Sequence, residues 1–122
     1  MTNPIARESR QYIRIPFDAD VLLKIQDLTI KVHLLDISLK GAMLQYDSDS
    51  HFQLHERCRL ELPVDGGGIA MDGQIVHLDV PLIGFESQHI ELSSLGRLCR
   101  LIESNCGDAE LMHREIRQLF RG

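Results

Sequence analysis

Apolar and polar residues alternate over most of the first ninety positions of this chain. Ile13, Ile15 and Phe17 fall on one side of an extended segment and Arg14 and Pro16 on the other, the period of two that marks a half-buried strand. Pro16 has no N–H for a ladder, which predicts an edge or a bulge there. A second run sets Leu28, Ile30, Val32 and Leu34 against Thr29, Lys31 and His33, and Ala42, Leu44 and Tyr46 continue the alternation. Cys58, Leu60 and Leu62 alternate with Arg57, Arg59 and Glu61 to make a fourth strand. Val64 to Gly68 predicts a hairpin connection, because glycine accepts the positive φ that tight turns require. Strands follow over Ile69 to Leu78 and Leu82 to Ile90, with Pro81 at the break. Five or six short strands joined this way predict an antiparallel barrel or sandwich.

The tail changes period. Ser93 or Ser94 is expected to cap a helix that carries Leu95, Leu98, Cys99 and Ile102 on one face. Asn105, Cys106 and Gly107 form a stop, and Asp108 can cap a second helix with Leu111, Met112, Ile116, Leu119 and Phe120 as its stripe. The expected helices are 93–105 and 108–121, packing on the barrel.

At 122 residues the chain is one domain with room for a real core. It divides into an N-terminal arm, 1–12, expected to be flexible, and a domain over 13–122. No apolar run approaches a membrane span and the first residues lack a signal core, so no membrane insertion and a cytoplasmic location are expected. Three cysteines without paired spacing fit reduced thiols.

The formal charge is -5, which argues against a general grip on a nucleic-acid polymer. The charge is uneven. Arg7, Arg10 and Arg14 against Glu8 give residues 1–16 a net +2, so the remainder carries -7. A basic arm on an acidic body fits a local anion site.

Two patterns offer the chemistry for one. Arg10 and Arg14 bracket Gln11, Tyr12 and Ile13 at the start of the first strand, and Asp36, Ser38 and Gly41 lie in the connection between the second and third. A guanidinium donates in pairs to phosphate oxygens or to O6 and N7 of guanine. Asp36 can accept from the N1 and N2 donors of guanine. Ser38 can donate to phosphate, and Gly41 permits a conformation or a close approach that a side chain would block. Taken alone, Asp-x-Ser-x-x-Gly is an ordinary turn signature whose side chains bond their own backbone. The pair is more specific than either pattern alone, because order, spacing and strand context all have to agree, and the combination suits a small ligand with several phosphates and purine edges.

Other readings have less behind them. His51 and His55 are four apart, but no Cys-x-x-Cys or His-Glu-x-x-His accompanies them, so no metal is expected. No nucleophile elbow surrounds Ser38, and the glycines at 66–68 lack the Lys-Ser/Thr of a phosphate-binding loop, so no catalytic residue is assigned.

The two patterns resemble the signature of the PilZ family of cyclic di-GMP receptors. Gln74 to Leu78 with Gly84, Phe85 and Glu86 is similar to the family's closing pattern, and 84–111 resembles its small stand-alone members. The resemblance implies a mainly β fold, a six-stranded antiparallel, split-barrel-like β-barrel with C-terminal α-helices, and no catalysis or cofactor. It implies cyclic di-GMP as the ligand, with Arg10 and Arg14 on phosphate and guanine, beside Asp36, Ser38 and Gly41. His77 falls where relatives carry an aromatic against a guanine face; its bland alternative is a half-buried strand histidine. Some relatives have a further arginine just before the first. Here Ser9 stands there, with Arg7 slightly farther off, so one or two bound ligand molecules stay open. The expected protein is a monomer whose arm folds over the ligand and signals to a downstream protein. The alternative is a protein-interaction module of the same fold that does not bind nucleotide.

Overall fold

The computed structural model describes residues 12–48, 50–64 and 66–121. Six strands form a closed antiparallel barrel: β1 (Ile15–Ile25), β2 (Leu28–Ser38), β3 (Gly41–Gln45), β4 (Arg57–Leu62), β5 (Ile69–Asp79) and β6 (Leu82–Ile90). Around the barrel the order is β1-β2-β3-β6-β5-β4. Two helices follow, α1 (Leu92–Cys106) and α2 (Ala109–Arg121). The expected six-stranded barrel with C-terminal helices is the fold observed.

The alternation read along each strand becomes an inside and an outside. Leu23, Leu34, Leu44, Leu60, Ile75 and Ile83 point inward and have no exposed surface, each stabilising the fold by roughly 1.5–3 kcal/mol. The first strand runs eight residues beyond Phe17, through Val21, Leu23 and Ile25. Its register with β2 shifts between Pro16 and Ala19, the bulge that Pro16 predicts.

Closure comes from β1 meeting β4, with Leu22, Leu23 and Lys24 opposite Glu61, Leu60 and Arg59. On the outer side of this seam Glu61 receives Lys24 at 3.3 Å and Arg59 at 3.1 Å, and Arg59 also reaches Asp72 at 3.1 Å. The hydrogen bonds that Arg59 donates to Glu61 and Asp72 raise its pKa.

Helix α1 lies against the barrel through Leu95, Leu98 and Ile102, all buried. Its N-cap is Glu91, without a side-chain capping bond, rather than Ser93 or Ser94. Ser94 is instead buried, and its hydroxyl accepts the Ala70 N–H at 3.0 Å, so it ties the helix to β5. The helix stops as expected at Gly107, which takes the left-handed conformation at φ 70° and returns its N–H to the Glu103 carbonyl, a conformation cheap only for glycine. Asp108 caps α2 by accepting the Leu111 N–H at 2.9 Å. The buried face of α2 departs from the expected stripe: Met112 and Glu115 are buried, whereas Phe120 is 66% exposed. With 3.6 residues per turn, 112, 115 and 119 share a face and 120 lies past its edge. No described helix is long and apolar enough to cross a membrane.

Two outcomes test this packing. Leu98→Ala should lower the unfolding free energy by about 2–5 kcal/mol, measured by urea denaturation; a loss below about 1 kcal/mol would mean that α1 does not seal the core. Burial, with Glu56 and Asp72 nearby, pushes the Cys58 thiol up to about 12. Because the thiolate is the reactive form, iodoacetamide at pH 8 should leave Cys58 unmodified in the native protein and label it in urea. Equal labelling in both would show that β4 opens readily.

Candidate functional site

Arg14 stands just before β1, and its Nε donates to Oδ1 of Asp36 at 3.1 Å. Both side chains are partly exposed, at 39% and 30%, so the pair adds only about 0–1 kcal/mol to stability. Its value is geometric. One carboxylate oxygen holds the Nε edge of the guanidinium, while the terminal nitrogens are not committed to that carboxylate. Asp36 belongs to β2 itself rather than to the turn. Register explains the meeting, since Asp36 faces Pro16 across the β1–β2 ladder.

The same register extends the site around the barrel. Asp36 faces Met43 on β3, Met43 faces Gly84 on β6, and Gly84 faces His77 on β5. Their sequence neighbours Ile37, Ala42, Leu44, Ile83 and Phe85 are buried, so the row lies on the outer face. Three inter-strand steps put Asp36 and His77 ~14 Å apart along the sheet. Gly84 makes the floor: a Cβ there would come within 2.7 Å of the His77 Cβ. His77 is exposed beyond it, where β5 shifts register between Ile75 and His77. The bulge turns the imidazole outward and so separates His77 from the half-buried alternative.

A second row runs beside the first. Ser38 faces Gly41, Gly41 faces Glu86, and Glu86 faces Gln74, whose amide donates to Glu86 at 3.3 Å. Ser38 is buried, and its hydroxyl accepts the Lys40 N–H at 3.2 Å and donates to the Gly41 carbonyl at 3.4 Å. It therefore organises the two-residue turn that drives Leu39 into the core. At Gly41 a side chain would collide with the Phe85 carbonyl oxygen, so the close approach foreseen there is made by β6. The turn is tied to β6 again by the Ser87 N–H, which donates to the Lys40 carbonyl at 2.7 Å.

The structure thus brings Arg14, Asp36, Ser38, Gly41 and His77 onto one side of the barrel. Arg7, Ser9 and Arg10 lie outside the described residues. The pattern along the chain gave no role to Met43 or to Gly84 as a floor. Both emerge only from cross-strand register, although Gly84 sits in a stretch that the sequence marks. The histidines are scattered: His33 contacts Asp18 and, at 3.4 Å, Asp20, while His51 and His55 lie in the β3–β4 connection and His89 on β6. Among the described residues no three His, Cys, Asp or Glu side chains gather as metal ligands.

Known structures share this architecture. The PilZ domain of YcgR from Escherichia coli, solved with c-di-GMP, matches at TM-score 0.67 and 20% identity over 92% of this chain and 97% of that one. The PilZ domain of CeSA from a cellulose-synthesizing bacterium matches at TM-score 0.63 and 16% identity, over 75% of this chain and 96% of that one. The PlzA protein of Borreliella burgdorferi, in complex with c-di-GMP, matches at TM-score 0.55 and 17% identity, over 77% of this chain and 42% of that one. At these identities the likeness establishes the fold. The PilZ domain model matches residues 8–104, most of the chain and both arginine and turn patterns, and the protein belongs to the PilZ domain family.

Proposed function

We propose that this protein is a cyclic di-GMP receptor that binds the nucleotide on the outer face of the barrel, between Arg14 and His77, and performs no chemistry on it. The observation that carries this reading is the Arg14–Asp36 pair at one end of an open row whose floor is a glycine, in a chain of PilZ type. Cyclic di-GMP presents two phosphodiesters and two guanines, each of which matches a group here. The terminal nitrogens of Arg14, which bond no partner among the described residues, suit a phosphate or the O6 and N7 edge of guanine. Asp36 complements guanine N1 and N2. His77 offers a ring face for stacking. Ser38 acts mainly through the shape of its turn, and its long bond to Gly41 leaves the hydroxyl able to swing towards a phosphate.

The upstream pattern supplies the rest. Arg10 brings a second fork, and Arg7 and Ser9 stand where a further contact would decide between one ligand molecule and two. The arm 1–12 closes over the ligand, and the altered surface is what a downstream protein senses. Occupancy changes the arm because closing it places its positive charge on phosphate, a folding-on-binding step.

The energies are sufficient. Micromolar affinity needs about 8 kcal/mol net, and charge-assisted hydrogen bonds contribute roughly 1.5–3 kcal/mol each. Losing either fork should therefore weaken binding at least about tenfold. Calorimetry on Arg10→Ala and Arg14→Ala, with circular dichroism to verify the barrel and chromatography to recover the nucleotide intact, tests this. Unchanged affinity in both variants would refute the assignment. Stoichiometry from the same titration fixes the number of ligand molecules. Saturating cyclic di-GMP should also slow amide exchange across residues 2–12; identical exchange with and without it would remove the arm from the mechanism.

A further inference from the structure

Glu115 occupies a position where an apolar residue would be expected. It lies on the buried face of α2, close behind Met112, with only 3% of its surface exposed. Glutamate is almost never buried this far unless paired. Its Oε2 accepts the N–H of Ile13 at 2.7 Å, across 102 residues of sequence. Its Oε1 has no hydrogen-bond partner among the described residues. Burial pushes the Glu115 pKa up, and burial together with the Glu115 charge pushes the Tyr12 phenol up. A leucine here would continue the apolar stripe at no electrostatic cost. The carboxylate instead captures one particular backbone amide.

That amide belongs to the residue immediately before Arg14. The regular pairing of β1 with β2 begins at Ile15, so Ile13 and Arg14 precede the ladder. Tyr12 and Ile13 rest against the core by their side chains, and the Ile13 N–H is held by Glu115. From that point the Arg14 side chain reaches Asp36. The terminal helix therefore grips the chain one residue away from the guanidinium of the candidate site.

We infer that Glu115 is a positioning residue for the nucleotide site: it holds Ile13 so that Arg14 stands ready at Asp36, and so links occupancy of the site to the docking of α2. The inference rests on the nucleotide-binding reading above. Linkage of this kind is reciprocal. Whatever Glu115 contributes to affinity, a bound ligand returns as firmer seating of the helix, which makes α2 a second surface that registers the ligand.

Three variants of the full chain separate the hydrogen bond from the packing. Glu115→Gln keeps a carbonyl acceptor. Glu115→Ala removes both acceptor and bulk, and Glu115→Leu keeps the bulk and removes the acceptor. Without the acceptor, exchange of the Ile13 amide should quicken at least about tenfold and the cyclic di-GMP Kd should rise about five- to tenfold, while Glu115→Gln stays within about twofold of wild type. In wild type, saturating nucleotide should slow exchange at Ile116 and Leu119, and in Glu115→Leu it should not. Wild-type affinity in Glu115→Leu, once its Ile13 amide is seen to exchange faster, overturns the inference while leaving the receptor reading intact. So does exchange in wild-type α2 that is indifferent to nucleotide. Failure of the wild-type chain to bind cyclic di-GMP at all overturns the parent reading, and this inference with it.

Discussion

Pairing of Leu22–Lys24 with Arg59–Glu61 turns a six-stranded ribbon into a barrel, and the candidate site on its outer face depends on that closure. An open sheet would leave β1 and β4 as edges with unpaired backbone groups. It would also let β1 slide on β2, and a slip of one residue exchanges inner and outer faces. Closure leaves the strands a single set of neighbours. Asp36, Met43, Gly84 and His77 then fall into one row because each is held by its opposite number. The ion pairs outside the seam contribute little by themselves, and the interior leucines and isoleucines carry most of the energy. The site is thus a consequence of core packing read out on the opposite side of the strands.

Glycine at 84 and at 41 shows how two similar sequence features serve different ends. Both sit where a Cβ would meet a neighbouring strand. At 41 the neighbour is the backbone of β6, so the glycine is needed to close the barrel around the turn. At 84 it is the side chain of His77, so the glycine leaves a shallow floor beside an exposed ring. Both roles are required by folding, since the His77 Cβ is fixed by its strand; at 84 the same requirement also leaves an exposed ring beside a bare backbone. Ser38 resembles Gly41 in this respect, because its hydroxyl is already occupied in the turn. The motif as a whole combines a structural half, Ser38 and Gly41, with a half that faces outward, Asp36 and the arginine paired with it.

The strands were legible because each inward position follows its neighbour by two, and only one alternation fits a half-buried sheet. The bulge at Pro16 was legible for a chemical reason, the missing N–H. The stop at Gly107 and the cap at Asp108 were legible because their chemistry is local. The N-terminus of α1 was not. Ser94 reads as a cap by residue type, but its hydroxyl found the Ala70 amide 24 positions away, a partner that no local pattern reveals. Met43 and the floor at Gly84 stayed hidden for a related reason: strand partners depend on bulges at Leu34/Asp36 and Ile75/His77, and each bulge shifts the register by one.

Glu115 is the clearest instance of tertiary context overriding pattern. A helical stripe of Leu111, Met112, Ile116, Leu119 and Phe120 accounts for the apolar residues of α2 and leaves a glutamate as an ordinary solvated side chain. In the folded protein that glutamate is buried, one oxygen on a backbone amide at the far end of the chain. Burying a carboxylate costs free energy, and nothing in the packing of α2 on α1 requires one. A group that costs stability and bonds a single amide beside the candidate site is better explained by what it holds than by the helix that carries it. Tyr12 and Ile13, just before the barrel, and the helix after it thus form one unit, joined at the Ile13 amide, with Arg14 at its outer edge.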